Sequence, residues 1–216
     1  MTDTRAERMA RLTSITAAEL AESIMEVGAK SVFGDRKSVL ETALARVACE
    51  LWLAIEIAAQ AEAAGVTPDG AGIFIEQGKM DLSILPLGER KPDPKDPGGL
   101  FIELKLLAPV ENFYDQLGQL RGDHDKLANA RVKHAFEATL MFDVFPSSAA
   151  CRWTRPVRAE VLTLDEAFAK VVNSCPFLTH LRCWGPEPLE HDWYHGTARL
   201  DLWRHVLRSV DKDSAG

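Results

Sequence analysis

Apolar positions recur at helical spacing in some stretches of the chain and alternate or run together in others. The first helical stretch, Ala17 to Lys30, follows Thr16 and Glu19, whose spacing fits a capping box. After a break at Gly34-Asp35, Ser38 to Ala64 carries Leu40, Leu44, Val47, Leu51, Ile55 and Ala58 on one stripe and predicts the longest helix. Gly65 to Gly72 is a turn cluster. Ile73-Phe74-Ile75 begins a strand, and Gly78 to Leu85 is its hairpin partner or its continuation past a bend. Gly88 to Gly99 holds Pro92, Pro94 and Pro97 among charges and predicts an exposed loop. Gly99 to Leu107 reads as a buried strand, ended by Ala108-Pro109.

A helix over Glu111 to Asn129 follows, with Phe113, Leu117, Leu120 and Leu127 as its apolar members. Glu137 to Phe145 predicts the next strand and Val157 to Leu162 another. Thr163 and Glu166 then form a second capping box, opening a helix over Leu164 to Asn173. Cys175 to Gly196 reads as irregular. Ala198 to Val210 predicts a closing helix with Leu202, Trp203, Val206, Leu207 and Val210 inward. Met1 to Leu12 reads as a frayed helix and Asp211 to Gly216 as a disordered tail. The order predicts an α/β fold, a central mixed β-sheet flanked by helices. It divides into an N-terminal helical segment (1–37), a core (38–145) and a C-terminal α/β extension packed on that core (146–216).

The chemistry concentrates in two strands. Glu103 and Lys105 stand two apart inside the apolar run Phe101 to Leu107, so they point the same way. A carboxylate and an ammonium are costly to bury unpaired. A neighbouring strand can set Asp81 beside them, and two carboxylates and a lysine at one spot can hold a divalent metal and a water. The bland alternative is a buried ion pair of Lys105 with Glu103 or Asp81, which gives little net stability.

Here the chain resembles the PD-(D/E)XK nuclease superfamily, with Asp81 as the family's Asp and Glu103-Leu104-Lys105 as its Glu-x-Lys. Met80 stands where the family often has Pro, and a Pro/Gly loop fills part of the long gap to Glu103. The resemblance implies a restriction-endonuclease-like core and a nuclease that hydrolyses phosphodiester bonds, in DNA, with Mg²⁺ or Mn²⁺. It implies metal ligation by Asp81, Glu103 and the Leu104 carbonyl, a charge-stabilising Lys105, and 5′-phosphate products. The superfamily often takes an extra acid from its first helix; Glu50 is preferred here and Glu41 is second. It also often places a Gln on the helix after Glu-x-Lys, where Gln116 and its neighbour Gln119 stand. The same fold without chemistry would be a binding module.

Composition changes this picture in few places. The 216 residues are 46% apolar, enough for one sizeable core. The net charge of −7 argues against a general coat of nucleic-acid contacts but leaves room for a local basic groove; Arg121, Lys126, Arg131 and Lys133 make a basic run diluted by Asp123 and Asp125. No run is long and apolar enough to span a membrane, which predicts a soluble, cytoplasmic protein; a homodimer is compatible with all of this. Cys49, Cys151, Cys175 and Cys183 suit reduced thiols. Cys175, His180, Cys183, His191 and His195 raise a structural zinc as a further candidate, since His191-x3-His195 has zinc-like spacing.

Overall fold

A computed structural model describes residues 16–46, 49–77, 80–86, 99–108, 113–130, 132–148 and 162–207. Five helices are described: α1 (Ala17–Phe33), α2 (Lys37–Arg46), α3 (Cys49–Ala63), α4 (Phe113–Asn129) and α5 (Leu164–Ser174). Six strands are described: β1 (Ala71–Gln77), β2 (Met80–Pro86), β3 (Leu100–Leu107), β4 (His134–Pro146), β5 (Leu178–His191) and β6 (Tyr194–His205). They form one mixed sheet in the order β1-β2-β3-β4-β6-β5. β3 and β4 pair in parallel, as strands joined through a helix can, and the other four pairings are antiparallel. The chain is thus α/β with a central mixed sheet and helices on both faces.

The strand period explains why so many adjacent residues are buried. Leu100, Ile102 and Leu104 of β3, Phe136, Ala138, Leu140 and Phe142 of β4, and Ala198, Leu200 and Leu202 of β6 join one core with α1, α2 and α3. The alternate residues face α4 and α5: Phe101 packs with Leu127, and Leu107, Met141 and Trp203 pack with Phe113, Leu117, Ala167 and Val171. Strands covered on both sides read as continuous apolar runs. Both predicted capping boxes are formed. Thr16 Oγ1 accepts from the Glu19 N–H at 3.3 Å, and Thr163 Oγ1 accepts from the Glu166 N–H at 3.2 Å.

Three expectations need correction. The predicted helix over Ser38 to Ala64 is two helices, α2 and α3, whose buried faces do not share a phase. Leu40 and Leu44 are fully buried and Val47 lies outside the described residues, but Leu51 and Ile55, further along the expected stripe, are 49% and 48% exposed; Ala58 of that stripe is buried, together with Leu53, Ile57 and Ala61 off it. A stripe counted across residues 44 to 51 assumes one helical phase throughout. The predicted closing helix at Ala198 to Val210 is β6, since Ala198, Leu200 and Leu202 alternate into one core while Trp203 enters the other. The stretch read as irregular, Cys175 to Gly196, contains the 14-residue strand β5. The predicted strand at Val157 to Leu162 lies almost wholly outside the described residues, as do the N-terminal frayed helix, the C-terminal tail and the proline loop up to Gly98. β5 and β6, from the predicted extension, lie in the same sheet as β1–β4. Among the described residues no helix is long and apolar enough to cross a membrane.

Candidate functional site

β3 places the site. Its described pairing with β2 runs through Ile84–Leu100, Ser83–Phe101 and Leu82–Ile102. The next pair in that register would be Asp81 and Glu103, which puts both on the face that α4 covers. Beyond Ile102, carboxylates take β3 amides. Asp81 Oδ2 accepts from the Leu104 N–H at 2.7 Å, and Glu50 Oε1, from the first turn of α3, accepts from the Leu106 N–H at 3.1 Å. Those amides are two residues apart, or about 6.6 Å along the strand, and Lys105 lies between them. The other helix acid, Glu41, is elsewhere: its Oε1 accepts from the Glu190 N–H at 2.7 Å and ties α2 to β5. Gln116 is buried, and its Oε1 accepts from the Ala108 N–H at 2.8 Å, closing the end of β3; Gln119 is exposed.

Beneath α4 the charges interlock. Glu103 is 2% exposed, and its Oε2 is 2.8 Å from Lys126 Nζ. Lys105 Nζ is 3.1 Å from Asp123 Oδ2, and Lys126 Nζ is 3.4 Å from Asp123 Oδ1. Glu103 Oε1 is buried with no hydrogen-bond partner among the described residues. Burial pushes the Glu103 carboxyl up to about 7; Lys126 pulls it down, and the Asp81 charge adds to the rise. For Lys105, burial favours the neutral amine, but Asp123, Glu50 and Glu137 outweigh it and hold the ammonium above its ordinary range.

The row continues onto β4, where Glu137 is the parallel partner of Glu103 and is fully buried. Its Oε2 lies 3.2 Å from His205 Nε2, and His205 Nδ1 lies 3.2 Å from His124 Nδ1. Burial raises the Glu137 carboxyl well above its ordinary range, and burial with the His124 and Lys126 charges lowers His205 to about 3. Burial thus works against charge on both groups. When Glu137 is protonated, its hydroxyl can donate to His205 Nε2, and His205 Nδ1–H then faces His124 Nδ1.

Above pH 4.5 the unfolded chain releases a glutamate proton that folded Glu137 retains, so stability falls as pH rises. Below pH 6.5 the unfolded chain takes up a proton that folded His205 refuses, so stability also falls toward acid. Glu137→Gln keeps the shape and removes the ionisation. In EDTA it should melt a few degrees above wild type at about pH 8 and level with it at about pH 4, as thermal melts will show.

Glu137 and His205 join this site without having been singled out in the sequence, and Asp123 and Lys126 were read only as part of a diluted basic run. The one legible sign was on α4. Phe113, Gln116, Leu120 and Leu127 mark its inward stripe, and Asp123, one turn from Leu120 and Leu127, falls on it, while Lys126 flanks it.

The five zinc candidates are dispersed. Cys175 is buried at the end of α5, His180 Nε2 lies 2.9 Å from Asp201 Oδ1, and Cys183 is exposed. His191 stacks on Tyr194 and His195 on Phe145. Among the described residues, no group of three or more His, Cys, Asp or Glu side chains is arranged to hold a metal ion. No family model, curated protein or solved structure matches the chain.

Proposed function

We propose that the chain is a metal-dependent nuclease with a restriction-endonuclease-like core, hydrolysing phosphodiester bonds in DNA. The observation that carries this is the convergence on β3. Asp81 sits on the Leu104 amide and Glu50 on the Leu106 amide, Lys105 lies between, and Glu103 keeps a buried, unpartnered oxygen. Asp81 and Glu103 would hold Mg²⁺ or Mn²⁺, with the Leu104 carbonyl as a further ligand and Glu50 binding a water or a second ion. The bound ion supplies charge neutralisation at the phosphate and a water of lowered pKa. Lys105 remains an ammonium, so its part is to orient the attacking water and stabilise developing charge, not to act as a base. Glu103 must be ionised to act as a ligand, so cation binding near neutral pH releases a proton there.

The test is incubation with plasmid and short oligonucleotides in Mg²⁺, Mn²⁺ or EDTA, wild type beside Lys105→Ala. Cleavage by wild type in the metal buffers alone is expected. No cleavage by wild type with any divalent ion would refute the reading. One observation favours a second reading, a binding module without chemistry: Lys126 already neutralises Glu103. That reading predicts partner binding indifferent to EDTA.

The placement of the helix acids yields a paired prediction. Glu50→Ala should lower metal-dependent cleavage by about tenfold with little change in melting temperature, because Glu50 is exposed and close to Lys105. Glu41→Ala should instead lower the melting temperature by several degrees and leave cleavage near wild type, because Glu41 is buried and braces β5.

A further inference from the structure

The ammonium of Lys126 occupies the position of a counter-ion within the acidic cluster. Its Nζ stands between two carboxylates from different elements, 2.8 Å from Glu103 Oε2 and 3.4 Å from Asp123 Oδ1. Asp123 also holds Lys105 at 3.1 Å, so two lysines and two carboxylates alternate in charge beneath α4. The side chain of Lys126 is 30% exposed, whereas that of Glu103 is 2% exposed. The Glu103 oxygen turned from Lys126 is buried and unpartnered. We propose that Lys126 is a built-in cation that competes with a divalent metal for Glu103, so that α4 sets the metal affinity of the site. The proposal deepens the nuclease reading and rests on its assignment of Glu103 as a metal ligand.

The physical reason is that one ammonium against a carboxylate weakens the field a second cation would feel there. At a few ångströms and part-buried, a unit charge changes divalent affinity by about tenfold or more. The loss of Lys126 should therefore tighten binding, where the loss of an ordinary stabilising ion pair would loosen it.

The experiment is Mn²⁺ titration by calorimetry at mildly alkaline pH on the full chain, comparing wild type, Lys126→Met, Lys126→Gln and Glu103→Gln. Lys126→Gln keeps a hydrogen-bond donor for Glu103, so the comparison stands even where the methionine variant fails to fold. Both Lys126 variants should bind Mn²⁺ about tenfold or more tightly than wild type, and adding Glu103→Gln should abolish the gain. Unchanged or weaker binding in the folded Lys126 variants overturns the proposal. If wild type still binds Mn²⁺ through Glu103 and cleaves, the nuclease reading survives that result. Binding by the Lys126 variants alone, with an inert wild type, upholds the competition and overturns the native chain as a nuclease. Absence of binding in every protein overturns both.

Discussion

Lys105→Ala should cleave at least about a hundredfold more slowly than wild type while still binding Mn²⁺, and Asp81→Asn should lose both cleavage and most of its metal affinity. The difference follows from where the two side chains stand. Asp81 stands on the α4 face beside Glu103, and its Oδ2 is anchored 2.7 Å from the Leu104 nitrogen. An asparagine in its place keeps that shape but removes a charge from the proposed metal site. In the proposed nuclease Lys105 is not a ligand. Asp123 and Glu50 keep it protonated, and in the proposed reaction a fixed cation aimed at developing charge would contribute about a hundredfold or more. The two variants should therefore agree in lost activity and differ in metal affinity.

Other readings predict other patterns. A binding module gives no cleavage by wild type and a partner affinity that neither variant nor EDTA alters. A merely structural ion pair makes Lys105→Ala melt early, because Asp123 loses its 3.1 Å partner, while no metal response changes. Melting curves with and without Mn²⁺, run beside the cleavage assay, separate these outcomes. The Glu137→Gln melts add an internal check, since Glu137 is the strand partner of Glu103 yet lies on the His205 side of the row.

What the sequence disclosed and what it withheld divide along physical lines. Local signals survived: the two capping boxes, α1, α4, α5, and the strands around Asp81 and Glu103 all stand close to where spacing put them. Glu103 and Lys105 share a face because the strand period allows nothing else. The choice of Glu50 over Glu41 was not decidable by counting along one helix, since α2 and α3 bury different phases; its place beside Lys105 depends on how α3 lies against β3. The charges of α4 were legible only as a diluted basic run, because their partners, Glu103 and Lys105, stand on a different element well before them in sequence. The C-terminal third misled for another reason. Strands buried on both faces put adjacent apolar residues such as Leu202 and Trp203 inward together, and a helix with inward positions at 202, 203, 206 and 207 writes the same letters.

That last ambiguity gives a large, cheap test of the fold. Trp203→Ala should destabilise the protein by about 3–5 kcal/mol, the range for removing a buried aromatic, and lower Tm by about 10 °C. Trp203 is 1% exposed, sits in the core with Leu107, Met141 and Val171, and contacts Phe168 and His180. Its Nε1–H donates to Thr139 Oγ1 at 2.9 Å, a bond between β6 and β4 that Trp203→Phe would remove at about 1 kcal/mol. Val206 supplies the control. It is 54% exposed just past the end of β6, so Val206→Ala should fall within about 0.5 kcal/mol of wild type. In a closing helix Val206 lies one turn from Trp203 on the same inward face, and both substitutions would be costly together. Urea or thermal unfolding of the two variants therefore distinguishes strand from helix at the C-terminal edge of the sheet. A substantial loss at Val206 would displace β6, and with it the Glu137–His205 contact, from the description of the site.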